Sequence, residues 1–355
     1  MNILQPLKLK ILYLTFFSMA LYITITQTPK IKAYQLFQTS DHNQNFQNTI
    51  IHRLKRLKNM CHLPLSDGST LMSKTKLIAS NVYWLPESKI VYCPVFKSAS
   101  STWLANLILL SGASQERITE AKKRHQGSLI EQIRHVGAIQ PSEKVWKDYV
   151  TQNQTIDLTA FMVVRHPFER LVSAYRDKLE RMDLHYYEKY GKKIVYRFRE
   201  RAINTLGAGY FNKSNNYGTF LEVTQGERPN ENLPSFWEFV QSVIIKLNMD
   251  EHWKPIFEYC SVCHPVQLQV NPYILKFENL NKEQPRFVQH LGWGDKINNT
   301  IRLNVNRVEE ITSEEITQLY FSNLSEEDIM NLYKVYKHDF ILFDYTFKIR
   351  NIILP

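Results

Sequence analysis

The sequence predicts an α/β fold, a parallel sheet flanked by helices in one domain, and three observations support it. Residues 89–95 form a β-rich apolar run that leads into a loop of small residues at 96–101 and then a helix-like stretch at 102–110. Residues 158–164 repeat the order: a buried strand, the turn Arg165-His166-Pro167, then a helix from Phe168 with Leu171, Val172, Tyr175 and Leu179 on the same face. Strands that feed helices in this way build parallel sheets, whose ligands gather beyond the strands' C-terminal ends. The third observation is continuity. Past the first 75 residues there is no repeat, low-complexity tract or Pro/Gly-rich linker, and a 355-residue chain with 44% hydrophobic content is long enough to bury a full core. Farther on, Ser325-Glu-Glu-Asp328 reads as a capping box opening a helix with an apolar stripe of Ile329, Leu332, Tyr333 and Tyr336.

The N-terminal stretch has a different character. Residues 11–29 carry no charge and are about as long as a bilayer-spanning helix requires. Lys8 and Lys10 precede the run and Lys30 and Lys32 follow it, so the very short leading tail is what favours a cytoplasmic N-terminus. The expectation is a retained transmembrane signal-anchor. A cleaved signal peptide is the alternative, but no small-x-small cleavage site follows the run. The expected organisation is a tail at 1–10, the anchor at 11–29, a polar stem at 30–75 and a luminal domain at 76–355. Within the stem, the basic run from His52 to Lys58 reads as a solvated helix face.

Behind an anchor, the sequons at Asn153, Asn212, Asn298 and Asn323 read as luminal glycosylation sites. Four cysteines, Cys61, Cys93, Cys260 and Cys263, are too few for a disulfide-built scaffold and enough for one or two bridges, with the pairing open. The net charge of +10 points to an anionic partner without choosing among nucleic acid, acidic lipid, nucleotide and acidic polysaccharide.

Two segments carry chemistry. The loop Lys97-Ser98-Ala99-Ser100-Ser101-Thr102-Trp103 offers backbone N–H groups, hydroxyl donors and a mobile cation at a helix start, a P-loop-like arrangement suited to phosphate. The competing reading makes Ser101 a helix cap and Lys97 a solvated cation. The Walker glycines are absent, which argues against an ordinary nucleoside triphosphatase. In the second segment, Arg165 leaves a buried strand where ligands bind, and its guanidinium can grip a phosphate through two parallel bonds. Ser173, two helical turns farther on, can donate to the same group. A strand-end salt bridge and a packing serine are the plainer alternatives.

With these loops the chain resembles the Golgi carbohydrate sulfotransferases, a family that includes chondroitin and dermatan 4-O-sulfotransferases and the enzyme of the sulfoglucuronyl neural epitope. The resemblance runs from about Tyr92 to Tyr345. It also covers Asp250-Glu-His-Trp253, Cys260-Ser-Val-Cys263-His-Pro265 and residues 332–340. It implies 3′-phosphoadenosine 5′-phosphosulfate (PAPS) as sulfate donor, with residues 97–103 on the 5′-phosphosulfate and Arg165 and Ser173 on the 3′-phosphate. No metal is expected. The chain departs from the family pattern at Phe96, where Pro is usual, at Ser100, where Cys is common, and at Ser101, where Thr is common.

The implied reaction is in-line displacement at sulfur, which needs a base for the acceptor hydroxyl and a cation for the departing phosphate. Lys97 takes the second role. His135, in a His-Val step similar to the family's, is the candidate base, with His252 and Glu251 next. The implied acceptor is an acidic glycan, with the 4-hydroxyl of N-acetylgalactosamine in chondroitin or dermatan leading; glucuronic acid and N-linked N-acetylgalactosamine are alternatives. Lys192, Lys193, Arg197, Arg199 and Arg201, interleaved with aromatics, are the candidate glycan surface, with a solvated helix face as the alternative. Nucleic acid is not an expected partner, because the body of the chain reads as luminal. Cys260-Ser-Val-Cys263-His264 matches a c-type haem attachment pattern, but nothing else in the chain asks for haem, and no second pair completes a zinc site. A glycan-binding protein without catalysis and a luminal kinase are the readings from other classes. Golgi membrane, single-pass type II, is the expected location; oligomeric state is open.

Overall fold

The computed structural model describes residues 41–152, 158–181, 183–200, 233–247, 249–297 and 312–354. The chain divides into two compact units, Met1–Thr49 and Ile50–Pro355. The expected anchor, residues 11–29, lies outside the described residues. Among those described, no helix is long and apolar enough to cross a membrane.

The larger unit is built on a four-stranded sheet of order β1-β2-β3-β4, comprising β1 Tyr83–Leu85, β2 Ile90–Cys93, β3 Thr159–Val164 and β4 Tyr273–Lys276. β2 pairs parallel to β3, with Tyr92 opposite Phe161, and β3 pairs parallel to β4, with Val163 opposite Leu275. β1 joins the β2 edge antiparallel. All four residues of β2 and five of six in β3 are buried, as apolar runs covered by helices on both faces must be. The expected parallel sheet is therefore present, with an antiparallel edge strand that the sequence did not announce.

Helix α1, Asp41–His62, precedes the sheet. The helix α2, Ser100–Leu110, follows β2, and α3, Gln115–Arg124, α4, Leu129–His135, and α5, Glu143–Thr151, come before β3. After β3 comes α6, Pro167–Tyr175, with Pro at its first turn and the His166 ring accepting from Glu169 N at 3.4 Å. The expected stripe Phe168, Leu171, Val172, Tyr175 and Leu179 is buried. The chain continues through α7, Phe236–Ile244, then α8, Leu280–His290, α9, Ser313–Ser322, α10, Glu326–Phe343, and a hairpin of β5, Phe347–Ile349, and β6, Ile352–Leu354. Ser325 caps α10 through Asp328 N at 3.0 Å, and its predicted apolar stripe is buried. The reciprocal half of the box is replaced: Asp328 instead receives Gln241 Nε2 at 2.5 Å and Trp237 Nε1 at 3.3 Å, fastening α7 to α10.

The expected stem, residues 30–75, overlaps the larger unit. From Ile50 onward the chain belongs to the larger unit. Leu57 and Cys61 are fully buried, and Cys61 is bonded to Cys263. Nor is the basic run a purely solvated face. Arg53 grips Glu283 through two bonds of 2.8 and 2.7 Å and donates to the Ile274 carbonyl, while Arg56 donates to the Ile341 carbonyl. The second bridge joins Cys93 to Cys260. Both cysteines of the Cys-x-x-Cys-His stretch are thus structural, and His264 caps the short helix Pro265–Gln269 by accepting from Val266 N at 3.2 Å.

Because Arg53 and Glu283 are almost enclosed, Glu283→Ala leaves a desolvated guanidinium without its counter-charge and should cost about 3–5 kcal/mol. Urea unfolding followed by circular dichroism measures it; a loss under about 1 kcal/mol, the range of exposed pairs, would show that the ion pair is not what holds α1 on the sheet.

Candidate functional site

The loop after β2 is strained and heavily braced. Lys97 and Ala99 hold φ values of +69° and +61°, a left-handed backbone that costs a non-glycine residue on the order of 1–2 kcal/mol. Four hydrogen bonds hold it: Ser98 N to Val95 O at 3.1 Å, Trp103 N to Ala99 O at 3.1 Å, Arg165 Nη1 to Lys97 O at 2.9 Å and Arg170 Nε to Phe96 O at 2.9 Å. α2 starts from Ala99 with no side-chain cap, so Ser101 is not the capping residue of the plainer reading. The hydroxyl of Ser98 is buried without a hydrogen-bond partner among the described residues, while Ser100 and Thr102 are buried and Ser101 is half-buried. Trp103 belongs to the core, with its ring 4.8 Å from Phe161 and 5.7 Å from Phe287.

Lys97 is not solvated. Its Nζ lies 2.9 Å from Asp177 Oδ2, on a wide π-type turn, Arg176–Glu180, that prolongs α6. Burial pushes the Lys97 ammonium down, with Asp177 opposing. Burial acts to raise the Asp177 carboxyl, but the ammoniums of Lys97 and Lys178 together hold it below its ordinary value. An enclosed lysine with a single strong carboxylate partner is a cation ready to exchange that partner for an anionic oxygen.

Arg165 leaves β3 as expected and lies against the first loop. Besides its bond to Lys97 O, Nη2 donates to Ser313 Oγ at 2.9 Å, and the guanidinium sits 4.4 Å over the Phe277 ring. Its acidic neighbour Glu169, at 3.6 Å, is raised to about 7 by burial and by Glu278 and Glu314, with Arg165 opposing. Ser173 is half-buried on α6, and no described contact joins it to Arg165.

A second buried arginine, not singled out from the sequence, extends the site. Arg170 is 1% exposed and donates to three carbonyls: Phe96, Lys254 at 2.7 Å and Glu251 at 2.8 Å. It brings the segment 250–254 to the lysine loop. There His252 Nδ1 lies 2.6 Å from Asp250 Oδ1 and 3.0 Å from the Tyr186 hydroxyl, and Tyr190 O–H donates to Asp250 Oδ2 at 2.7 Å. Phe96, at the position where the family pattern usually has Pro, packs its ring 4.8 Å from the His252 ring.

His135 is placed differently. Its Nδ1 is 3.3 Å from His125 Nε2 and its Nε2 is 3.6 Å from Glu120, a setting built by α3 and α4. The reason lies in the topology. Ile139 pairs antiparallel with Trp84 of β1, so the chain coming from His135 enters from the edge where β2 begins, whereas Lys97 follows the edge where β2 ends. Among the described contacts, none joins His135 to Lys97 or Arg165.

The basic cluster divides in two. Lys192, Lys193 and Arg197 are exposed, with Lys192 paired to Glu188 along its own helix turn. Arg199 is structural, gripping Glu238 at 2.8 and 2.6 Å, and Arg201 lies outside the described residues. Of the sequons, Asn323 sits half-buried at the end of α9, while Asn153, Asn212 and Asn298 lie outside the described residues. Among the described residues no group of His, Cys, Asp and Glu is placed to hold a metal ion.

Comparison with known proteins agrees with this geometry. The chain is 27% identical over 267 residues to carbohydrate sulfotransferase 11 of Mus musculus, covering 73% of this chain and 65% of that protein. It is 25% identical over 280 residues to carbohydrate sulfotransferase 8 of Homo sapiens, covering 79% and 58%. With carbohydrate sulfotransferase 14 of Danio rerio it shares 24% identity over 332 residues, covering 90% and 80%. The match thus spans just under two thirds of the length of the mouse protein. No solved structure matches. The sulfotransferase family model matches residues 80–346, from just before β1 to the turn before β5, and the chain belongs to that family.

Proposed function

We propose that this chain is a carbohydrate O-sulfotransferase that moves the sulfuryl group of PAPS to a glycan hydroxyl. The observation that carries the reading is the contact of two cation-bearing loops at the ends of adjacent parallel strands, with Arg165 donating to the Lys97 carbonyl. The names of the relatives, all carbohydrate sulfotransferases, support it.

In this reading Arg165 holds the 3′-phosphate of the donor, with Ser173 on the helix that follows it, and the loop from Lys97 to Thr102 receives the 5′-phosphosulfate. As the acceptor oxygen attacks sulfur, the bond to the 5′-phosphate breaks and its electron pair leaves on the phosphate oxygen. Lys97 releases Asp177 and stabilises that developing charge. The strained, braced backbone fixes the lysine in advance, so little reorganisation is needed at the moment of transfer.

For the acceptor we propose the 4-hydroxyl of N-acetylgalactosamine in chondroitin or dermatan, with the exposed Lys192, Lys193 and Arg197 holding the polyanion. The resemblance of the loops to 4-O-sulfotransferases and the exposure of these cations support this choice. We further propose a Golgi membrane protein of type II, anchored by residues 11–29, with its sequons glycosylated. Two buried disulfides, which persist in an oxidising compartment, agree with a luminal domain.

Three measurements test these proposals. Arg165→Ala should weaken PAPS binding by roughly ten- to a hundredfold, the value of charged hydrogen bonds, while Lys97→Ala should lower kcat by about a hundred- to a thousandfold with a smaller change in affinity. Folded variants with unchanged binding and turnover would remove both residues from the donor site. Replacing Lys192, Lys193 and Arg197 together by Ala should raise KM for polymeric glycosaminoglycan, most at low salt, and leave KM for PAPS in place; an unmoved polymer KM would assign the chain to another surface. Expressed in a secretory cell, the full chain should sediment with membranes and lose apparent mass on glycosidase treatment, and soluble unglycosylated protein would refute the topology.

A further inference from the structure

We propose that His252, oriented by Asp250, is the catalytic residue that takes the proton from the acceptor hydroxyl; this rests on the sulfotransferase reading and assigns a role that reading leaves open. The geometry decides between the candidates. The Asp250 carboxylate is fixed by three donors: its own pair with His252, the His252 backbone N–H at 3.0 Å and the Tyr190 hydroxyl at 2.7 Å. An ionised carboxylate only accepts, so His252 Nδ1 must carry the hydrogen, with the Tyr186 oxygen beside it at 3.0 Å. That assigns the lone pair to Nε2, which no protein hydrogen bond engages among the described residues. Such a carboxylate-imidazole pair fixes tautomer and orientation in the way a nucleophile-activating histidine requires.

Its position is set by the same contacts that shape the donor loop. The Phe96 ring lies 4.8 Å from the imidazole, and Arg170 bonds at once to Phe96 O and Glu251 O, the residues preceding Lys97 and His252. The side chain keeps 10% of its surface exposed, enough for a hydroxyl to reach one ring atom. By contrast, no hydrogen bond orients the Glu251 carboxylate among the described residues, and His135 meets His125 and Glu120, with no described contact to the loop. The step balances simply. The acceptor O–H gives its proton to Nε2 as its oxygen bonds to sulfur, the S–O bond to the 5′-phosphate breaks with its electrons going to phosphate, and the imidazolium later returns the proton to solvent.

The charged and titratable groups facing this imidazole are Asp250 from its own segment, Tyr186 from the turn Leu184–Tyr186, Lys97 from the donor loop and Lys178 from the turn after α6. Burial sets its basicity below the ordinary value, Lys178 and Lys97 act in the same direction, and Asp250 opposes them. The acidic limb of the kcat profile should therefore lie below the ordinary histidine value of about 6.5. Removing the Asp250 charge takes away the one raising influence, so Asp250→Asn should move that limb further toward acid while turnover falls on the order of a hundredfold or more through loss of the correct tautomer. A merely structural aspartate would lower the amount of active enzyme and leave the limb where it is.

The test uses the full chain with radiolabelled PAPS, desulfated chondroitin and 3′,5′-ADP as binding probe. His252→Ala should cut turnover about a hundred- to ten-thousandfold, keep 3′,5′-ADP affinity within about threefold, and regain turnover with added imidazole. Asp250→Asn, the milder change, supplies the pH profile if His252→Ala does not fold. Near-normal turnover in folded His252→Ala, an unmoved acidic limb in Asp250→Asn, or a hundredfold loss in His135→Ala or Glu251→Gln with His252 dispensable would each overturn the assignment. In all three the wild type still transfers sulfate, so the parent reading survives; a wild type that neither binds 3′,5′-ADP nor transfers sulfate would sink both.

Discussion

The buried guanidinium of Arg170 is the constraint around which the rest of the site is arranged. A charge this enclosed is tolerated only if its donors are met, and here they are met by three main-chain carbonyls, not by a carboxylate in direct contact. Carbonyls from residues 96, 251 and 254 must therefore converge on one point of α6, which forces the loop after β2 and the segment before Cys260 into register. α10 holds that segment from the other side. Asp339 accepts from Ile256 N at 2.7 Å and Phe257 N at 2.9 Å, and the Tyr336 hydroxyl donates to Trp253 O at 2.5 Å. Burial pushes the Asp339 carboxyl up to about 7, against those backbone donors and the Arg170 charge.

The two disulfides fasten the same region covalently. One runs from the last residue of β2 and the other from α1, and both end within the four residues from Cys260 to Cys263. Sheet, N-terminal helix and the histidine segment thus share one anchor point. This geometry places the strained Lys97 backbone between fixed points, with Cys93 and the Arg170 bond to Phe96 before it and the Trp103 N to Ala99 O bond after it. Strain that would relax in an isolated loop is retained because its surroundings leave it no alternative.

Much of this was legible in the sequence, and the remainder was hidden for identifiable reasons. Lys97 and Arg165 were legible because an apolar strand, a polar loop and a helix in that order fix where the loop residues must lie. The partners of these cations were not: Asp177 sits on a π-type turn that helical periodicity does not anticipate, and Ser313 is 148 residues from Arg165. The pairing of Asp250 with His252 depends on a turn, and its support by Tyr186 and Tyr190 on contacts across 66 and 60 residues. His135 was read from its place between the two loops in sequence, and position in the chain does not say which side chains a residue meets; its described contacts are with His125 and Glu120. Within the expected stem, Ile50, Leu54, Leu57 and Cys61 recur at helical spacing among the lysines and arginines, the pattern of the amphipathic helix that carries Cys61 to its bridge.

The placement of the bridges bears on how the chain is made. Cys61 and Cys93 leave the ribosome 202 and 167 residues ahead of their partners, so neither bond can close until nearly three quarters of the polypeptide exists. The partners then arrive together, three residues apart, and each waiting thiol meets two sulfurs of nearly equal reach. The crossed pairing of Cys61 with Cys260 and Cys93 with Cys263 would close loops of almost the same length, so chain entropy barely distinguishes it from the native one. Discrimination falls to the packing of Leu57 and Val262 and to thiol–disulfide exchange, making oxidative maturation of this domain a late, editing-dependent event rather than one completed as each segment emerges.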